Sequence, residues 1–278
     1  MKKLLSVLTL LAALIFPAAA AGQEEEAAPN TGALSFEGGI DYTTAYFFRG
    51  YLQEDSGLIL QPYASISADF IDREGLGLSG YVGIWNSIHT EKTGHVSGPS
   101  SWYESDIYGG LDLALGDFTV GTVYTFYTYP NGAFDTIQEI GFTLSYDDSK
   151  LGLPVALSPF VGVYFETRDS GGTEDAYGEV GFEPSFPVGD TGITISVPMV
   201  LGFSIDDYYF DDDGKNEFLG YGAVALAASV PLGGQGRFGQ WTLNASVQYL
   251  HLFADSARAA NDDDRNEVIG TVGVSFTY

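Results

Sequence analysis

Ten acidic residues carry the most suggestive chemistry in this sequence: Glu37, Asp41, Asp69, Glu104, Asp106, Asp112, Glu139, Glu166, Glu179 and Glu183. Each stands on the parity opposite to the apolar residues of a segment that alternates oily and polar side chains. In FEGGIDYTTAYFFRG, Phe36, Ile40, Tyr42, Tyr46 and Phe48 take even positions, while Glu37, Asp41, Thr43 and Arg49 take odd ones. Side chains in a β-strand point alternately to opposite faces, so such a ribbon is apolar on one side and charged on the other. Carboxylates gathered on one wet face attract cations and repel anions. Neutralising groups are scarce. Beyond Lys2 and Lys3, only Arg49 falls in an alternating segment, at its end. Arg73, Lys92, Lys150, Arg168, Lys215, Arg237, Arg258 and Arg265 fall in turns and loops. An unpaired buried carboxylate costs several kcal/mol or takes up a proton, so the expected surroundings of this face are water and cations.

Other constellations point to less. Ser87 and His89 stand two apart, but a nucleophile needs a base and a third group that orients it. No H-x-S arrangement of the outer-membrane phospholipase type is present, and His89 reads as a solvated loop histidine. GLGLSG at 75–80 spells G-x-G-x-x-G, yet it opens a strand rather than a helix, so no dinucleotide cofactor is expected. The triplets Asp211–Asp213 and Asp262–Asp264 fail the calcium-loop spacing. They read as solvated loop charge, with divalent bridging to lipopolysaccharide as the sharper alternative. No catalytic residue, metal ligand set or cofactor is expected.

The elements that position the carboxylates follow from the same alternation. Twelve segments fit a period of two: 34–49, 58–70, 76–87, 103–115, 118–129, 136–146, 154–167, 176–187, 193–205, 218–230, 241–253 and 267–278. Each is longer than the five or six residues of an ordinary strand and meets the roughly 9–11 that a tilted strand needs to cross a bilayer. The links alternate in kind. One set is short, as in IDREG, GD, the stretch around DDSKLG, and GDT; the other is long and polar, as in IHTEKTGHVSGPSSW, DDYYFDDDGKNE and ADSARAANDDDRN. Short turns on one rim, long loops on the other and an even strand count describe a transmembrane barrel. Phe70, Tyr103, Phe118, Phe186, Phe218, Trp241 and Phe253 near strand ends fit an interfacial girdle. Pro62, Pro159, Pro184 and Pro198 run against the pattern, because each removes a ladder donor, so bulges or displaced strand ends are expected there.

Composition agrees. The 278-residue chain has 36 glycines, 18 tyrosines, 19 phenylalanines and no cysteine, and sets 37 acidic against 11 basic residues. Such a surface repels nucleic acid, which excludes that class of partner. Lys2, Lys3, the run LLSVLTLLAALIF and PAAAA make residues 1–21 an export signal rather than a membrane span. Residues 22–33 read as a flexible acidic segment, and 34–278 as one barrel domain.

DYTTAYFFRGYLQEDSGLILQP resembles the first hairpin of the TorF-type porins, and GYVGIWNS resembles their glycine–tyrosine–glycine–tryptophan–serine strand. ESDIYGG, VYTFYTYPNG and IQEIGFTLSY follow in the expected order, so the resemblance covers roughly residues 34–146. The longer lead-in TTAYFFRG and the asparagine after Trp85 depart from it. The resemblance implies an outer-membrane barrel of porin type and brings no catalytic residues. Phe276 and Tyr278 look like the C-terminal signal read by the barrel assembly machinery.

The expectation is therefore an all-β, up-and-down antiparallel barrel of about 12 strands in a Gram-negative-type outer membrane, in contact with its lipid and lipopolysaccharide. It would pass small solutes, cations before anions, with the ten carboxylates lining the path. Twelve tilted strands make a backbone cylinder roughly 24 Å across, narrow enough for inward Tyr63, Tyr81, Trp85 and Tyr108 to choke it. The alternatives are a non-conducting structural or adhesive barrel and, less expected, a lipid hydrolase embedded in the barrel.

Overall fold

Alternation along the chain becomes an inside and an outside only if the strands close on themselves, and they do. The computed structural model describes residues 32–153, 155–168, 174–233 and 239–278. The expected export signal, most of the 22–33 segment and Arg237 lie outside the described residues. The strands are β1 (Leu34–Thr43), β2 (Tyr46–Phe48), β3 (Tyr51–Glu54), β4 (Ile59–Arg73), β5 (Leu76–His89), β6 (Trp102–Leu115), β7 (Phe118–Thr128) and β8 (Ile137–Tyr146). There follow β9 (Phe160–Arg168), β10 (Ala176–Phe182), β11 (Ser185–Pro187), β12 (Thr194–Ser196), β13 (Met199–Asp206), β14 (Leu219–Pro231), β15 (Gln240–Leu252) and β16 (Asn266–Thr277). A short helix α1 (Asp255–Ala259) lies between the last two.

Antiparallel pairing runs β1–β4–β5–β6–β7–β8–β9–β10–β13–β14–β15–β16 and returns to β1 through Gly39↔Ser275 and Asp41↔Gly273. The chain is a closed twelve-stranded antiparallel barrel. β10 with β11, and β12 with β13, are two staves each broken once. The breaks fall at Glu183-Pro184 and Val197-Pro198, where proline cannot donate to the ladder. Pro159 sits just before β9. Pro62 lies within β4, where pairing to β5 lapses at Gln61 and Pro62 without a change of register. The β8–β9 link is longer than the sequence suggests: β9 begins at Phe160, and Asp148 accepts from the Leu157 and Ser158 amides to fold the turn. Arg73 and Arg168 close β4 and β9 rather than lying in loops.

The outer face is apolar and bare. Val268 is 67% exposed, and Leu226 and Phe70 are each 61% exposed; Ile66, Val82, Ile107 and Val247 join them in the same alternating band. Soluble proteins rarely leave so much contiguous apolar surface, so this face calls for an apolar medium. Tyr103 is the exception to the expected girdle. The register slips between Ser87 and Ile88, which face Glu104 and Trp102, and the extra residue Tyr103 turns inward, where it is buried.

Candidate functional site

The first expected strand, 34–49, ends early. β1 stops at Thr43, and the next residues form a separate hairpin, β2 paired only with β3. Its two-residue turn is Arg49 (φ 49°) and Gly50 (φ 83°), both left-handed, as a tight hairpin with the strands' own twist requires. A side chain at Gly50 would also press on Tyr221 of β14, whose Cβ lies 3.1 Å from where a Cβ would stand.

This hairpin enters the barrel. Tyr46 packs against Trp85 of β5, with ring centroids 5.4 Å apart, and donates to Glu104 of β6 at 2.9 Å. Phe48 meets Tyr127 of β7 at 5.4 Å. Arg49 donates through Nη1 and Nη2 to the two oxygens of Glu139 of β8, at 2.6 and 2.8 Å. Tyr209, in the β13–β14 loop, donates to the Arg49 carbonyl at 2.7 Å. A segment that touches inward residues from β5 round to β14 can only lie in the lumen.

Aromatic rings enclose the arginine. Its guanidinium carbon lies 4.2 Å from the ring centre of Tyr177, 4.7 Å from Tyr164, 4.9 Å from Phe48 and 5.5 Å from Tyr208. Tyr127 adds a hydrogen bond to Glu139 at 3.0 Å. Tyr164 and Tyr177 in turn donate to the two oxygens of Glu179, at 3.1 and 3.0 Å. Gly202, the register partner of Glu179, leaves room for this: a Cβ there would stand 2.8 Å from the Tyr177 hydroxyl and against the Tyr221 ring. Burial alone would lower the Arg49 pKa, but Glu139 and the neighbouring tyrosines outweigh it and hold the group well above its ordinary range. Arg49 is therefore a permanent charge that is only 6% exposed.

The base of the hairpin is held by a chain of hydrogen bonds. Glu54 accepts from the Ser56 amide at 2.9 Å, the Asp55 amide at 3.1 Å, the Ser56 hydroxyl at 2.6 Å and the Thr93 hydroxyl. Thr93 has one proton and gives it to Glu54, so His89 Nδ1 donates to Thr93 at 2.7 Å. His89 Nε2 then accepts from the Ser87 hydroxyl at 2.8 Å. Burial would raise the Glu54 pKa, but the hydrogen bonds from Ser56, Thr93 and Asp55 prevail and leave it below the ordinary carboxylate value. The expectation of a solvated loop histidine is corrected: His89 ends β5, is 1% exposed and stacks on Tyr103 at 4.8 Å. The inserted hairpin and the β5–β6 loop close over it, which the local sequence does not show.

Of the ten carboxylates, Asp41, Glu104, Asp106, Asp112, Glu139 and Glu179 are buried on the inner wall; Glu37 and Glu166 are half-buried on the same face. Asp69 is exposed and shares a register row with Ser79 and Asp112 near the short-turn rim. Glu183 departs from expectation. It belongs to no strand, because Pro184 interrupts the stave, and its amide donates to the Leu157 carbonyl at 2.8 Å. The fold gathers Glu139, Glu166 and Glu179 around Arg49 and sets Glu104 beside Asp106 under Tyr46. Arg49, expected at the end of a wall strand, instead stands inside the lumen among these carboxyl groups. Asp106 is the starkest case: it is 1% exposed, flanked in register by Trp85 and Tyr127, and neither oxygen has a hydrogen-bond partner among the described residues.

Sequence reading passed over the hairpin and its ring cage. Two signals pointed to them. Ten residues already carry β1 across a bilayer, which leaves 44–54 surplus, and Arg49-Gly50 between aromatics reads as a turn. The Asp211–Asp213 triplet serves its own loop. Asp211 accepts from the Asp213 and Lys215 amides, both at 2.9 Å, and Lys215 pairs with Asp213 at 3.0 Å. Among the described residues no group of three or more His, Cys, Asp or Glu is placed to hold a metal.

No protein-family model matches the chain, and no curated protein does. Solved structures do. An outer-membrane channel from Pseudomonas putida F1 is similar in fold, with a TM-score of 0.50 and 9% identity over 92% of this chain and 100% of that one. The translocator domain of the autotransporter NalP from Neisseria meningitidis aligns with a TM-score of 0.43 and 14% identity, covering 89% of each chain. A NanC porin gives 0.41 and 14%, over 88% of this chain and 99% of its own.

Proposed function

We propose that this barrel is an outer-membrane channel for passive diffusion of small solutes, preferring cations or neutral molecules to anions. The observation that carries this reading is the charge of the inner wall. Glu37, Asp41, Glu104, Asp106, Asp112, Glu139, Glu166 and Glu179 face inward, and Arg49 is the buried basic residue set among them. A wet path lined this way concentrates cations. Toward the short-turn rim inward Tyr81 and Asp112 share the wall with small polar side chains such as Thr143, Asn244 and Ser275. Toward the long-loop rim the hairpin occupies the path, so flow requires it to shift. The fold likeness to an outer-membrane channel and the TorF-type resemblance of residues 34–146 support the same reading. It carries with it both termini in the periplasm, lipopolysaccharide around the long loops, and recognition of Phe276 and Tyr278 by the assembly machinery.

A second reading has one observation in its favour. The hairpin buries Tyr46, Trp85 and Tyr209 almost completely, as in a structural or adhesive barrel that conducts nothing. Enzymatic activity is not part of the proposal: Ser87 and His89 are enclosed and face the lumen rather than lipid. Refolded protein in a planar bilayer under a salt gradient tests the choice. A reversal potential of cation-selective sign is expected; anion selectivity overturns the charge assignment, and a silent bilayer favours the structural barrel.

A further inference from the structure

The receptor for Arg49 is assembled almost wholly from residues outside the hairpin. Glu139 belongs to β8, Tyr164 to β9, Tyr177 and Glu179 to β10, and Tyr208 to the β13–β14 loop; only Phe48 travels with the arginine. Its chemistry is particular to one shape of cation. A carboxylate takes two parallel N–H bonds in the fork geometry, and rings cover the planar faces, a match that a compact ammonium cannot reproduce. Carboxyl groups are also in excess: Glu139, Glu179 and half-buried Glu166, the register partner of Glu139, stand around one guanidinium. Arg49 Nε is buried without a hydrogen-bond partner, so the cage leaves one donor of its occupant unmet. Its left-handed φ of 49° is a conformation that non-glycine residues adopt at a cost.

We propose that this cage is a binding site for solutes bearing a guanidinium group, that Arg49 is its tethered occupant, and that such a solute displaces the hairpin from the lumen. Displacement rests on the channel reading only for its consequence, passage; binding does not. A tethered group competes at an effective concentration in the millimolar range, so the intact protein answers weakly and a protein without the tethered side chain answers well.

The test is chemical rescue of Arg49→Ala in detergent, with methylguanidinium as probe and methylammonium at equal ionic strength as control. The variant is expected to melt below the wild type, and millimolar methylguanidinium to restore much of the loss with a saturable dependence, while methylammonium does not. Arg49→Lys, which keeps the charge and loses the fork, is the second background and is expected to respond likewise. Absence of rescue in both, equal rescue by methylammonium, or rescue that persists after Glu139→Gln is added overturns the proposal. In the wild type, a cysteine placed at Gln53 in this otherwise cysteine-free chain is expected to react faster with a soluble maleimide when methylguanidinium is present. An unchanged rate overturns the displacement clause. Rescue without conductance would refute the channel and leave the binding site standing.

Discussion

Arg49 and Glu139, 90 residues apart in sequence, meet in a two-point ion pair inside the barrel, with side chains 3% and 4% exposed. One belongs to the tip of an inserted hairpin and the other to the wall, so this single contact fixes the hairpin to the inner face of the barrel. Removing either partner strands the other charge away from water.

Arg49→Ala is therefore expected to destabilise the protein by about 3–5 kcal/mol, the usual cost of orphaning one member of a buried pair. Single-channel conductance is expected to rise, because the tip loses its anchor. Glu139→Gln should do the same, and the double variant should cost less than the sum of the two. Thermal melts and bilayer recordings on the same preparations check both effects.

Acid should loosen the hairpin at its base. The Glu54 pKa in the folded protein lies below its ordinary value, so the stabilisation is complete above the unfolded value of about 4.3 and is lost as pH falls through the folded value. Exchange of the 46–54 amides is expected to accelerate below about pH 4 in the wild type. In Glu54→Gln it should already be fast at neutral pH and show less acid dependence.

Selectivity should follow the carboxylates that solute meets outside the plugged half. Glu37→Gln with Asp112→Asn is expected to shrink the cation-selective reversal potential at low salt and to matter less at high salt, where charges are screened. Glu104→Lys with Asp106→Lys should push the potential toward anions. No shift in either variant would remove these residues from the path.

The outer face makes a separate prediction. Leu226→Arg, on the bare apolar band, is expected to cost about 2–4 kcal/mol in a bilayer, whereas Ser246→Arg on the inner face should cost less. Denaturant titrations in lipid distinguish them. The barrel without detergent should precipitate; a soluble monomer would mean that the apolar band does not meet lipid.

Twelve staves, their alternating faces and, the β8–β9 link excepted, the sorting of short and long links were legible because each depends on neighbours within a few residues. Phe36, Ile40 and Val268 announce an outward face through the parity of their own segment, and the pairing of β1 with β16 follows once every strand needs two partners. The prolines were legible as faults, and Pro184 and Pro198 mark the two broken staves. Tyr103 was not: its side of the wall depends on a register slip against β5, which only the paired strand reveals. The hairpin was half legible, since Arg49-Gly50 is a turn signal, but a turn says nothing about which way the loop folds.

By itself, then, the sequence determined the wall: period-two alternation sets which side chains face out, and it puts carboxyl groups on the inner face with few basic residues beside them. Tertiary structure alone decided what fills that interior. The cage of Tyr164, Tyr177, Tyr208 and Glu139 comes from strands and loops that are remote in the chain, and Arg49 reaches it only because the loop after β1 turns inward. Local periodicity carries no information about a contact between segments until closure of the barrel fixes where each inward side chain stands.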